Sequence, residues 1–310
     1  MSFYESLTSI VGAERVRASA PLAPLTSFRV GGAAEWLAEV RSASELVVVL
    51  RLAYEARVPV TILGGGSNVL VSDDGVRGLV VRVQGGEVEQ PVPHVVSADA
   101  GVTINRLVRW TISRGLAALE AWAGTPGTVG GAIAGNAHFD GRLIGDLVES
   151  VRLASSDGSV RRVPAADMEF GYDTSRLQRT HEVLLSACFA VSLGDPSALR
   201  AIARRSLAYR KRSQPLATPS AGCVFRNPAP QDVPPGVPAS AGALLDRAGL
   251  KGQAIGGARV SSTHANFIVN AGDATADEIR SLVRHCQDAV AHRFGVQLQE
   301  EIVYLGEFTG

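Results

Sequence analysis

Two glycine-rich segments are the first places in this sequence where the residue types suggest chemistry. One runs Leu63-Gly64-Gly65-Gly66-Ser67-Asn68-Val69. The other runs Gly124-Thr125-Pro126-Gly127-Thr128-Val129-Gly130-Gly131 and on to Asn136. Glycine has no Cβ, so successive backbone N–H groups can converge on an anion such as a pyrophosphate. Neither segment has the G-x-G-x-x-G spacing of a Rossmann turn or the G-K-[ST] ending of a P-loop. The first runs on into Val69-Leu70-Val71-Ser72-Asp73, which reads as strand and not helix. The second places five glycines in the twelve residues 124–135, a surface on which a large planar or charged group can lie against backbone. A turn between strands, or close helix–sheet packing, explains either segment alone. Together they point to one extended ligand, such as FAD, with separate cradles for its pyrophosphate and its ring system.

A third segment, Pro219-Ser220-Ala221-Gly222-Cys223-Val224-Phe225-Arg226-Asn227-Pro228, puts a thiol after a flexible Ala-Gly step. Arg226 and Asn227 add a charge and an amide suited to a phosphate or a sugar. A lone cysteine is also a common small buried hydrophobe. Near the C-terminus, strand alternation groups Gln297, Gln299, Glu301, Val303 and Leu305, so Glu301 shares a side with apolar residues. The six histidines show no metal-ligand spacing, and no metal site is expected. Arg210-Lys211-Arg212 reads as a solvated helix end that also suits a diphosphate.

The elements that must position these residues are legible. Residues 42–57 read as a helix with a Ser42/Glu45 capping box. Residues 58–63, 78–83, 94–102 and 183–192 read as strands, and 103–115 as a helix closed by Gly115. Asp157-Gly158 marks a hairpin in 148–163. Asp195-Pro196 starts a helix to about 212, and 276–294 is a helix with a Thr275/Glu278 capping box and a closing Gly295. Residues 296–305 read as the last strand. Strands and helices interleave without a βαβ rhythm, so the fold class is α+β.

The 310 residues suggest about two or three domains. We divide the chain at 1–85, 86–195 and 196–310. Thirty basic and thirty acidic residues leave no net charge, which argues against a nucleic-acid or polybasic membrane partner. Cys188, Cys223 and Cys286 are odd in number and widely spaced, as in a reducing, cytoplasmic setting. We see no signal peptide and no run of the ~18 apolar residues that a membrane helix needs.

Taken in order, TSFRVGGAAEW (26–36), ILGGGSNVLVSD (62–73), AGTPGTVGGAIAGNA (123–137), FGYDTSRL (170–177), PSAGCVFRNP (219–228), GARVSSTHANFIVN (257–270) and LQEEIVYLG (298–306) resemble the UDP-N-acetylenolpyruvoylglucosamine reductases, in their more compact branch. The resemblance implies two FAD-binding subdomains (1–85, 86–195) of the vanillyl-alcohol-oxidase-like type and a C-terminal α+β substrate domain. We expect a monomer, with oligomers left open. NADPH would reduce FAD. The enolpyruvyl ether of UDP-N-acetylglucosamine would then take a hydride at its vinyl CH2 carbon and a proton at the adjacent carbon, in peptidoglycan precursor synthesis. Cys223 matches the proton donor, a serine in the most familiar members, and Glu301 matches the enolate-stabilising glutamate. The family arginine falls at Asp173, so Arg176 is the candidate to replace it. Tyr172, Arg210, Arg226, Asn227 and His264 are the implied substrate contacts. Another FAD oxidoreductase on the same scaffold, or a binding protein without turnover, stays open on motifs alone.

Overall fold

The computed structural model describes residues 2–308. The chain forms two compact units, neither of them contiguous. One comprises residues 1–19, 35–65 and 78–209, and the other 20–34, 66–77 and 210–310. The division falls within the first glycine-rich segment, after Gly65.

The first unit has two hydrophobic cores. One is built on a four-stranded sheet in the order Val16–Pro21, Ala33–Val40, Val76–Val83, Val60–Leu63. Leu46, Val49, Leu50 and Ala53 of the helix Ala43–Glu55 cover it, together with Leu7 and Val11. Ser42 caps that helix by accepting from the Glu45 N–H at 3.1 Å. The expected box is only half formed, because the Glu45 carboxylate takes the Arg41 N–H and pairs with Arg15 instead. The other core lies on a five-stranded sheet in the order Val160–Pro164, Val148–Ala154, Val183–Ala190, Val95–Asp99, Val88–Val92. Its strands pair antiparallel, and the expected hairpin turns at Gly158, φ +80°. The helices Ile104–Ser113 and Val129–Ala134 pack Leu107, Val108, Ile112, Val129 and Ile133 into this core.

The second unit has one core. The helix Ala276–Phe294 supplies Ile279, Leu282, Val283, Cys286 and Val290 to it. The Thr275/Glu278 capping box and the left-handed Gly295 close that helix at both ends, as expected. Phe28, Val30 and Leu70 join the same core from far upstream. Gly32 donates to the Ser72 carbonyl, and both Asp73 carboxylate oxygens accept from the first turn of the long helix, at Ala276 and Asp277. The terminal strand is shorter than the alternation predicts. Only Val303–Leu305 is regular strand, paired parallel to Val69–Val71, and Glu300 makes an isolated bridge to Phe225.

Candidate active site

Within the first unit, the two glycine-rich segments meet backbone to backbone. A Cβ on Gly64 would stand 2.6 Å from Thr128 Oγ1, and one on Gly65 would stand 2.6 Å from Gly127 Cα. The two glycine-rich segments therefore adjoin. Gly124 (φ +83°) and Gly127 (φ +96°) adopt left-handed backbone that a side chain would strain. Asn105, a residue that motif reading passes over, ties this loop down. Its Oδ1 accepts from Gly124 at 2.8 Å and its Nδ2 donates to the Thr125 carbonyl. Thr128 caps the short helix that begins at Val129, and the Gly130 N–H goes to the Ala100 carbonyl. Gly131 is exposed.

Asn136 is fully buried, and its amide is occupied by the protein: Oδ1 accepts from Gly145 at 2.8 Å and Nδ2 donates to the Gly171 carbonyl at 2.7 Å. That second bond anchors a tight turn, bridged Gly171 to Thr174, with Tyr172 and Asp173 at its corners. Asp173 has φ +54°, a conformation that a short polar side chain tolerates well. Its carboxylate is buried against His138 Nδ1 at 2.7 Å, and the His138 and Tyr172 rings lie 4.9 Å apart. Arg176 binds Glu182 through Nε at 3.1 Å and the Asp167 carbonyl through Nη1 at 3.0 Å. Burial acts to raise the Glu182 pKa, but hydrogen bonds from Arg161 and Thr180 and the charges of Arg176 and Arg161 hold it below the usual carboxylate value. Arg176 is thus one side of a largely buried ion pair.

In the second unit, two extended segments joined by the Phe225–Glu300 bridge bring Cys223 and Glu301 side by side. The Glu301 N–H donates to the Val224 carbonyl at 2.7 Å, and the Arg226 N–H donates to the Gln299 carbonyl at 2.9 Å. Asn266 binds the outer edge. Its carbonyl accepts from Val224, its Oδ1 accepts from the Phe225 N–H at 2.9 Å, and its Nδ2 donates to the Phe225 carbonyl at 2.7 Å. This buried asparagine belongs to the HANF stretch of the sequence, yet only the fold reveals what its amide holds. Asn68 lies on the other edge, with Nδ2 3.1 Å from the Glu301 carbonyl. Gly66 closes on the 25–27 segment, its carbonyl accepting from Ser27. Ser67, Asn68 and Val69 are half-buried.

Cys223 is half-buried after Gly222, whose φ is +85°. Burial lowers the Arg210 pKa to about 10, and attraction to the Cys223 sulfur opposes the shift. The guanidinium therefore keeps its charge at neutral pH. Arg226 is half-buried, and its Nε has no hydrogen-bond partner among the described residues. Asn227 Oδ1 accepts from the Ala241 N–H at 3.0 Å, at the start of the helix Ala241–Arg247. Burial and the charge of Lys251 hold His264 below the usual histidine pKa, and its Nδ1 accepts from the Asn266 N–H at 3.2 Å. Chemically, the unit offers a thiol, a carboxyl group and a buried cation close to the thiol. The backbone cradle of the first unit fits a dinucleotide. No helix among the described residues is long and apolar enough to cross a membrane.

Comparison with known proteins identifies both halves. A family model described as an FAD binding domain matches residues 34–164, and one described as UDP-N-acetylenolpyruvoylglucosamine reductase, C-terminal domain, matches 214–305. A UDP-N-acetylenolpyruvoylglucosamine reductase from Synechococcus sp. (strain RCC307) is 40% identical over 299 residues, 95% of each chain. One from Myxococcus xanthus is 42% identical over 303 residues, covering 96% of this chain and 94% of that one. The crystal structure of the enzyme of that name from Thermus caldophilus superposes with a TM-score of 0.78 at 31% identity, over 94% of this chain and 99% of the other.

Proposed function

The chain belongs to the UDP-N-acetylenolpyruvoylglucosamine reductase family, and from that premise we propose Cys223 as its proton donor and Glu301 as the group that steadies the enolate. The enzyme reduces UDP-N-acetylglucosamine enolpyruvate to UDP-N-acetylmuramate with NADPH, a step in peptidoglycan precursor synthesis. FAD, when bound, would supply the hydride chemistry that links NADPH to the substrate. The backbone of Leu63 to Val69, with Gly124 to Thr128, Gly130 and Gly131, makes its proposed contacts, and the Asn68 side chain is turned to the Glu301 carbonyl instead. The missing Cβ atoms at Gly64 and Gly65 support this fit. Asn136 shapes that region from behind, since its amide is used internally.

The Cys223 thiol gives its proton to the carbon beside the carboxylate and is left as a thiolate. The cationic Arg210 offsets that charge. Glu301, hydrogen-bonded or protonated, meets the negative charge that builds on the enolate. A carboxyl group does this only if its pKa is raised when substrate is bound. Arg226 and Asn227 are assigned to the diphosphate, and Tyr172 and His264 to the substrate. Arg176 is assigned to Glu182, a structural role, in place of the arginine role that the resemblance implies. Residues 1–85 and 86–195 are the FAD-binding subdomains and 196–310 the substrate domain. The three free cysteines and the nucleotide substrates support action in the cytoplasm; a monomer without nucleic-acid or membrane partners is proposed, with oligomers left open.

The observation that carries the assignment is the 2.7 Å bond joining the Val224 and Glu301 backbones, which sets the thiol and carboxyl segments beside each other. Anaerobic single turnover tests it. NADPH should bleach the flavin of both wild type and Cys223→Ala. Product should form roughly 10²-fold or more slowly in the variant, the usual worth of a positioned proton donor. Cys223→Ser should retain part of the rate. Near-normal product formation by Cys223→Ala would remove the thiol from the reaction.

A further inference from the structure

Glu301 sits in an irregular stretch between the bridge at Glu300 and the strand Val303–Leu305, so no regular ladder fixes its backbone. Two bonds do so instead. Its N–H donates to the Val224 carbonyl at 2.7 Å, and its carbonyl accepts from Asn68 Nδ2 at 3.1 Å. The main-chain carbonyl of Asn68 also accepts from the Val303 N–H at 3.0 Å. One asparagine therefore grips the chain at Glu301 with its side chain and at Val303 with its backbone. The strand that begins one residue later, Val69–Val71, continues the same contact in parallel register, Val69 opposite Val303.

The chemistry of this contact demands an amide. A carbonyl oxygen needs a donor, which alanine lacks. Aspartate, of the same size, would set an acceptor against an acceptor. Asn68 closes the Gly-Gly-Gly-Ser-Asn stretch whose composition suggests a cofactor loop. The position of its Nδ2 gives the side chain another task. We infer that Asn68 is a positioning residue for Glu301: its carboxamide fixes the carbonyl of the residue whose carboxyl group meets the enolate. The inference rests on the role proposed for Glu301. The backbone bond to Val303 survives any side-chain change, so substitution at position 68 removes the grip on Glu301 and leaves the strand pairing intact.

The test uses FAD-loaded enzyme and separates the two half-reactions. Asn68→Ala and Asn68→Asp should retain flavin and be bleached by NADPH at the parental rate. Their product-forming half-reaction should slow roughly ten- to a hundredfold, the effect of misplacing a catalytic group by about 1 Å. Asn68→Asp should be at least as slow as Asn68→Ala. The double variant Asn68→Ala/Glu301→Gln should be no slower than Glu301→Gln alone, because both changes act through one carboxyl group. Parental product formation by both Asn68 variants, with Glu301→Gln slow, would overturn the inference. Loss of flavin from both would also overturn it, since it would assign the amide to the cofactor. A parental rate in Glu301→Gln would remove the premise and the inference with it.

Discussion

The glycine segments of the first unit come together because side chains are missing, whereas the irregular segments bearing Cys223 and Glu301 in the second are held by side chains. Gly65 meets Gly127 backbone to backbone. Val224, Phe225 and Glu301 are gripped by the amides and carbonyls of Asn266 and Asn68. The difference reflects what each region must do. A cradle for a large flat ligand needs backbone at its surface, and only glycine lets two loops approach that closely. A short irregular strand carrying a reactive group has too few ladder bonds, so an amide that both donates and accepts completes it. The first region should therefore respond to side-chain volume, and the second to hydrogen-bonding capacity at constant volume.

Asn266→Ala should have the larger effect on stability. It strands the N–H and the carbonyl of Phe225, both in the interior, at about 1–3 kcal/mol for each group left unsatisfied. Denaturant unfolding should give a midpoint well below wild type, and product formation should drop with it. Asn266→Asp keeps the acceptor for the Phe225 N–H but sets a buried carboxylate against the Phe225 carbonyl, so it should not recover the loss. Equal stability of wild type and Asn266→Ala would break the comparison from the second side. Gly65→Ala comes next. Its methyl group falls 2.6 Å from Gly127 Cα, and overpacking of this kind costs about 1–3 kcal/mol. Flavin content of the purified variant should fall, and a second change that adds volume, Gly65→Ser, should not restore it. Full flavin loading in Gly65→Ala would show that the two loops have room to part.

The sequence made most of the elements legible, because caps and turns are local. Ser42, Thr103, Asp195 and Thr275 each cap the helix that they were expected to start. The glycine segments, Cys223 and Glu301 stood out because their types or their resemblance marked them. What was not legible depends on contacts between distant residues. The cut in the chain after Gly65, with residues 20–34 and 66–77 packed into the C-terminal core, has no local signal. Asp73, Asn105 and Asn266 each work through two or more hydrogen bonds to residues far along the chain, and such pairings leave no periodicity to read. Arg176 was singled out by its nearness in sequence to position 173, which says nothing of Glu182, the group its guanidinium meets. Asp173 itself, buried on His138, answers to a partner 35 residues upstream.

The smallest expected effect sharpens the comparison within the second unit. Burial, aided by Lys251, lowers the folded-state pKa of His264 below its ordinary value of 6.5. The neutral ring is the form whose Nδ1 can accept the Asn266 N–H. The unfolded chain therefore takes up this proton at a higher pH than the folded one. Its contribution to stability is complete above about pH 6.5 and is lost as the pH falls from there through the depressed folded value. Glu45, Glu182 and Glu278 are held below their ordinary 4.5, so they begin to cost stability only at still lower pH. Between pH 7.5 and 5.5 the histidine is thus read apart from them. The chain should unfold at lower denaturant at pH 5.5 than at 7.5. His264→Gln, whose side-chain oxygen can accept the same N–H without titrating, should flatten that difference. An unchanged slope in the variant would mean that the ring does not support Asn266, and the grip on Phe225 would then rest on the asparagine alone.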